Sequence, residues 1–162
     1  MYEGALRTTL LSAKWSLSTV TIRSLARLLI TRNTERLRQL QIDRVIPIPQ
    51  HWMHRLTRPF SPAAVIAVEL ARFLKRPCDL HILRRSRHTR PQKRVSVTGR
   101  FENQRDSFRI RDSHVIAREN LLLVDDVLTT GATCSEAARM LKQSGAARCD
   151  VAVIGRVLDH SA

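Results

Sequence analysis

Leu121-Leu-Leu-Val-Asp-Asp-Val-Leu-Thr-Thr-Gly-Ala-Thr133 is the stretch whose reading decides the fold. An unbroken apolar run, Leu121 to Val124, has the composition of a strand buried on both faces, as in a parallel sheet covered by helices. Two carboxylates, Asp125 and Asp126, end that run, and open α/β sheets bind ligands at the carboxyl ends of their strands. Thr129, Thr130, Gly131, Ala132 and Thr133 follow as a turn able to aim backbone N–H groups and hydroxyls at one anion. Ser135 to Gly145 reads as the next helix, its positive dipole end facing the same spot. The stretch therefore offers a phosphate cradle beside two acceptors suited to sugar hydroxyls. The plainer alternative is a strand–turn–helix with a polar turn, but adjacent acids repel and need something to offset that cost. No Gly-x-x-x-x-Gly-Lys is present, so this is not a nucleotide triphosphatase phosphate loop.

Working outward, strands alternate with helices. Residues 2–14 and 17–31 have helical spacing, with Leu25, Leu28 and Leu29 on one face of the second helix, and Thr34 to Leu40 suits a short third helix. Asp43 to Pro49 reads as a strand that Pro47 and Pro49 bring to an end. Ser61 to Lys75 predicts a helix with Ser61 as N-cap and Pro62 in its first turn; Val65, Val68, Leu70, Phe73 and Leu74 suit a face against a sheet. Asp79 to Leu83 predicts a second strand, and residues 84–105, basic and aperiodic, a loop. Phe108 to Ile110 and Val115 to Ile116 suit short strands, and Asp150 to Val157 a last one. The pattern implies one α/β domain over 1–162, with N-terminal helices over 1–41 and a core over 42–162 whose mostly parallel sheet is flanked by helices.

Composition narrows the function. The 162 residues suffice for one domain with a real core, and 43% are hydrophobic. No apolar run approaches the roughly 18 residues of a membrane span. Arg7, Lys14, Arg23 and Arg27 break up the N-terminal apolar stretch, as an amphipathic helix does and a signal peptide does not. Cys78, Cys134 and Cys149 form no CxxC pair, which argues against a zinc site or a disulfide framework and makes the cytoplasm the default location. The formal net charge is +14, and residues 51–111 hold 15 Lys and Arg against 4 Asp and Glu. Such a field attracts polyanions, which include both nucleic acid and polyphosphorylated metabolites. His51, His54 and His88 read either as acid–base groups or as surface and phosphate-contacting histidines, and Trp52 either as a stacking platform or as core.

The thirteen residues of the opening stretch resemble, without a gap, the phosphoribosyl-pyrophosphate (PRPP) motif of type I phosphoribosyltransferases. The resemblance implies that Asp125 and Asp126 hold the ribose hydroxyls and that Thr129 to Thr133 hold the 5-phosphate. More of the chain is similar to the ComF/GntX family of phosphoribosyltransferase-like proteins. Tyr2, Gly4, Arg7 and Lys14 match its opening helix, and Val45-Ile-Pro-Ile-Pro49 with His51-Trp52 match its first core strand and turn. Arg84-Arg85, Arg87, Thr89, Gln92, Arg100, Asn103 and Phe108 match its Arg-rich segment. The chain departs from the family at Arg58-Pro-Phe-Ser-Pro62, where members carry Arg-Gly-Phe-Asn-Gln. A flexible position and two side-chain donors are missing there, which weakens the expected grip on pyrophosphate and with it turnover. Many relatives also carry an N-terminal Cys-rich zinc module; this sequence begins after that point.

Two functions from different classes follow from the resemblance. The first is transfer of a phosphoribosyl group from PRPP to an acceptor with release of pyrophosphate. Arg84, Arg85 and Arg87 would reach the diphosphate, residues 84–105 would form a mobile Arg-rich hood, and Mg²⁺ would be carried in with PRPP rather than held directly by the protein. No residue stands out as a catalytic base. The second is a non-catalytic factor in DNA uptake that keeps the fold and engages single-stranded DNA and the uptake machinery. Arg55, Arg58, Arg90, Lys93, Arg94 and Arg100 are its candidate DNA contacts. Aromatic content of 4% argues against it, since single-strand binders supply stacking platforms. A homodimer is the assembly that type I relatives often form.

Overall fold

The computed structural model describes residues 18–50, 60–86, 107–111 and 116–157. The expected helix over 2–14, His51, Trp52, His54, His88, Val115 and residues 87–105 of the expected hood lie outside the described residues.

The leucine run is the centre of the molecule. Strand β4 (Asn120–Leu128) lies between β1 (Arg44–Pro47) and β5 (Arg148–Arg156) in a three-stranded parallel sheet of order β1-β4-β5. Residues 121–124 are at most 1% exposed. Alternation along the strand sends Leu121 and Leu123 into one core and Leu122 and Val124 into another. The first core packs them against helix α4 (Ala132–Gln143) and a two-stranded antiparallel ribbon of β2 (Leu83–Arg85) and β3 (Phe108–Ile110). The second packs them against helices α1 (Thr19–Arg32), α2 (Thr34–Gln39) and α3 (Pro62–Leu74). The α/β class expected from the alternating pattern is thus the observed architecture. No described helix is long and apolar enough to cross a membrane.

The end signals of α3 act as the sequence predicts. Ala64 N–H donates to Ser61 Oγ at 3.3 Å, Pro62 opens the helix, and Lys75 closes it in the left-handed region at φ 53°. Its buried face differs from expectation. Ala63, Ile66, Ala67, Leu70 and Ala71 are buried, whereas Val65, Val68, Phe73 and Leu74 are only partly so. The helix lies between the sheet and α1, and small side chains let both neighbours approach. Likewise Ile22 and Ala26 are the buried positions of α1, while Leu28 stays 45% exposed.

The expected strand from Asp79 to Leu83 is not formed. Cys78 makes a single parallel bridge with Val45, and Asp79 Oδ1 then accepts from the N–H groups of His81 (2.9 Å) and Ile82 (3.0 Å). A side chain that takes local donors turns the chain instead of extending it. The strand therefore begins at Leu83, and Arg84 and Arg85 belong to it rather than to a loop. Ile116 is buried but not in a strand. Helix α4 starts three residues earlier than Ser135, immediately after Gly131.

Candidate functional site

The site arises where β1 leaves the sheet. The two strands run in register from Arg44↔Leu121 to Pro47↔Val124, and Ile48 N–H then donates to the Val124 carbonyl at 2.8 Å. Neither Pro47 nor Pro49 has an N–H to offer β4. Strand β4 continues past that point on its β5 side alone, pairing Asp125↔Val153, Val127↔Gly155 and Leu128↔Arg156. Asp125 and Asp126 thus sit half-buried at the carboxyl end of the central strand, just past the point where β1 ends.

The acids organise each other. Asp126 N–H donates to Asp125 Oδ1, and Val127 N–H donates to Asp126 Oδ1, both at 2.9 Å. Burial, reinforced by the neighbouring charge of Asp126, pushes the Asp125 carboxyl up from 3.8 to about 7, against the pull of Arg85.

The turn expected to cradle an anion follows at once. Gly131 adopts φ 79° and ψ −4°, a left-handed turn that aims the chain into α4. Ser135 N–H donates to the Gly131 carbonyl at 2.8 Å, and Ala132 N–H donates to Thr130 Oγ1 at 3.4 Å. Gly131 supplies no capping side chain and the first turn of α4 holds no acid of its own, so the helix opens with its positive end beside Asp125. Thr129 is exposed, while Thr130, Gly131 and Thr133 are half-buried and Ala132 is buried. Cys134 packs beneath the turn. Burial first, and then the charge of Asp125, pushes its thiol up to about 12, which makes it a packing group and not a nucleophile.

The arginines divide. Successive residues of a strand face opposite ways, so Arg84 is exposed while Arg85 turns inward. Arg85 Nε donates to the Pro49 carbonyl at 3.0 Å, and its guanidinium lies 4.9 Å from the centre of the Phe108 ring. Burial lowers its pKa, and the charge of Asp125 opposes that shift. The structure thus brings Asp125, Asp126, Arg85 and the 129–133 turn to one end of the sheet and leaves Arg84 outside. Arg87, Arg55, Arg58, Arg90, Lys93, Arg94 and Arg100 lie outside the described residues. The described residues contain no group of three or more His, Cys, Asp or Glu that could hold a metal ion.

Two features escaped the sequence. One is the Pro49–Arg85–Phe108 arrangement; the prolines marked the end of β1, but nothing in the sequence showed what its last carbonyl would bind. The other lies on the helical face, where Glu69 is 9% exposed by side chain and gathers Arg72 (2.9 Å), Arg27 (3.5 Å) and Arg23 (3.8 Å). The spacing of Glu69 and Arg72 allowed their pairing, but the convergence of α1 on the same carboxylate is a tertiary event.

Residues 59–159 match the phosphoribosyl transferase domain family. The chain is 32% identical over 127 residues to Competence protein F of Haemophilus influenzae, an alignment covering 76% of this chain and 56% of that protein. It is 31% identical over 138 residues to DNA utilization protein YhgH of Escherichia coli O157:H7, covering 83% of this chain and 60% of that protein. The chain therefore spans a little over half the length of these relatives. Among solved structures, a purine phosphoribosyltransferase from Pyrococcus horikoshii superposes with a TM-score of 0.54 at 18% identity, covering 86% of this chain and 76% of that one. The glutamine PRPP amidotransferase of Bacillus subtilis gives 0.55 at 19% identity, covering 82% and 26%. At such identities these structures speak for the fold, which is the type I phosphoribosyltransferase fold. The chain belongs to the phosphoribosyl transferase domain family, as a ComF-like member of it.

Proposed function

We propose that the site at the carboxyl end of β4 binds PRPP, entering with its Mg²⁺, and presents it for phosphoribosyl transfer. The observation that carries this reading is the pair Asp125–Asp126, placed where β1 leaves the sheet and followed directly by the Gly131 turn and the uncapped start of α4. Paired acceptors suit the vicinal hydroxyls of a ribose, and the turn with its helix N-terminus suits the 5-phosphate dianion. In the transfer, a lone pair on the acceptor forms a bond to the anomeric carbon as the bond from that carbon to the diphosphate oxygen breaks. Pyrophosphate departs with the electron pair. The protein's part is to fix the ribose, hold the charges and keep the reacting carbon in line. Mg²⁺ brought in with PRPP would offset the charge of the leaving diphosphate, while the protein would supply the grip on the ribose and 5-phosphate. Arg87, and Arg84 from the exposed side of β2, remain the candidates for reaching the diphosphate.

The deciding experiment is the thermal midpoint of the protein with PRPP and Mg²⁺, with ribose-5-phosphate and pyrophosphate as controls. A ligand that binds only the folded state raises the midpoint by mass action. A rise with PRPP that is lost in the Asp125→Asn/Asp126→Asn variant supports the assignment. An equal rise in parent and double variant refutes the ribose role of the acids.

The net charge of +14 favours a second reading, in which the chain keeps the fold as a single-stranded DNA-binding factor. Relatives named for competence and DNA utilization agree with it. Affinity for single-stranded DNA would then fall steeply with salt as phosphate contacts release counterions, and a flat dependence would remove this reading. A cytoplasmic location and a homodimer are compatible with both.

A further inference from the structure

We propose that Arg85 is a positioning residue for the ribose-binding acids, acting through Asp125 on the sugar diol rather than serving as a ligand of the diphosphate. The inference rests on the PRPP reading of the site and gives Arg85 a different part from the one its place in the Arg-rich segment implies.

The geometry carries it. Ile48 is hydrogen-bonded to Val124, the residue before Asp125, and Pro49, the residue after Ile48, accepts the Nε–H of Arg85 at 3.0 Å. Arg85 is thereby fixed to the exit of β1. Its guanidinium face is occupied by Phe108, with 4.9 Å between the guanidinium carbon and the ring centre. Phe108 is 2% exposed and locked in the core between the ribbon and α4, so it cannot follow a moving loop. The Arg85↔Phe108 pairing of β2 with β3 holds the backbone as well. An arginine with its Nε–H and one face committed, on a paired strand, is poorly built to sweep over a diphosphate. It is well built to keep a fixed positive charge beside a fixed carboxylate.

The charge balance agrees. Among the described residues the titratable groups acting on Asp125 are Asp126 from its own strand, Arg85 from β2 and, from α4, the Cys134 thiol that feels its charge. Arg85 is the cation of that set. It works against the burial and repulsion that hold the carboxyl near 7, and a ribose hydroxyl donates best to the ionised form.

The test is a calorimetric titration of the full chain and of Arg85→Gln and Arg85→Lys with three probes: PRPP with Mg²⁺, ribose-5-phosphate, and pyrophosphate with Mg²⁺. Removing a nearby opposite charge raises a carboxyl's midpoint by about one pH unit or more. Arg85→Gln should then weaken PRPP and ribose-5-phosphate by the same factor, about five-fold at pH 7, with the loss fading towards pH 9 and pyrophosphate unaffected. Arg85→Lys, which keeps the charge, should recover most of the loss. If PRPP and pyrophosphate weaken together while ribose-5-phosphate does not, Arg85 is a diphosphate ligand and the proposal is overturned. The carboxyl ¹³C titration of Asp125 in the unliganded protein needs no probe. Its midpoint should rise in Arg85→Gln and return in Arg85→Lys, and an unmoved midpoint also overturns the proposal. If the parent binds none of the probes, the PRPP reading fails, and the carboxyl titration still decides whether Arg85 governs Asp125.

Discussion

Replacing Asp125 by Asn should make this protein more stable at alkaline pH and, on the proposed PRPP reading, weaken ribose binding. The carboxyl is pushed from 3.8 up to about 7 in the folded protein, first by burial and then by Asp126, so the folded state holds its proton more tightly than the unfolded chain does. The contribution of Asp125 to stability is greatest where both states are protonated, below about pH 4, and falls as pH rises through the window to about 7. A difference of about three pH units corresponds to roughly 4 kcal/mol at pH 8, which bounds what the buried charge costs the fold there. Asn has nearly the same shape and keeps an Oδ1 to accept the Asp126 N–H now held at 2.9 Å, but it carries no charge. The variant should therefore match the parent near pH 4 and exceed it increasingly up to pH 7–8, by up to about 4 kcal/mol. For a chain of this size that is a rise in midpoint of up to about 8–16 °C. The assay is urea or thermal unfolding of both proteins from pH 4 to 8.5. A variant less stable than the parent at pH 8, or a difference independent of pH, would refute the claim that Asp125 is held charged against its environment.

Other perturbations separate scaffold from site. Gly145 has φ 106°, and a Cβ there would lie 2.5 Å from the Ile116 carbonyl oxygen, so Gly145→Ala should lose more than about 2 kcal/mol in chemical denaturation. Gly131→Ala has room, its nearest neighbour being Leu128 Cδ1 at 3.8 Å, but it must hold φ 79°. It should cost only about 1–2 kcal/mol, yet weaken ribose-5-phosphate binding by more than Gly145→Ala does, in titrations run well below either midpoint. Glu69→Gln removes the carboxylate that pins Arg23, Arg27 and Arg72, and since those arginines are exposed and can turn to water, the loss should be about 1–2 kcal/mol. It should leave ribose-5-phosphate affinity unchanged, and a lost affinity would tie the helical face to the site.

The short-range parts of this fold were written in neighbouring residues. Four consecutive aliphatic residues before Asp125 required a strand covered on both sides, and β4 is covered by two distinct cores. Ser61 and Pro62 marked a helix start, Pro47 and Pro49 marked a strand exit, and Gly131 marked the turn into α4, because caps and turns depend on one or two backbone angles and a nearby side chain. The two acids and the Gly131 turn were legible together because both lie within one strand–turn–helix. What the tertiary structure decided involves residues distant in sequence. Asp79 turned a predicted strand into a corner by capturing the N–H groups of His81 and Ile82. The buried positions of α3 are shared between alanines and the fully buried Ile66 and Leu70, because α1 packs on it as well as the sheet. Above all, nothing local distinguishes Arg84 from Arg85. One is exposed and the other is set beside Asp125 by the Pro49 carbonyl, 36 positions earlier, and by the Phe108 ring. The proton affinity of Asp125 is equally a tertiary property, because burial and fixed charges set it and neither exists until the chain has folded.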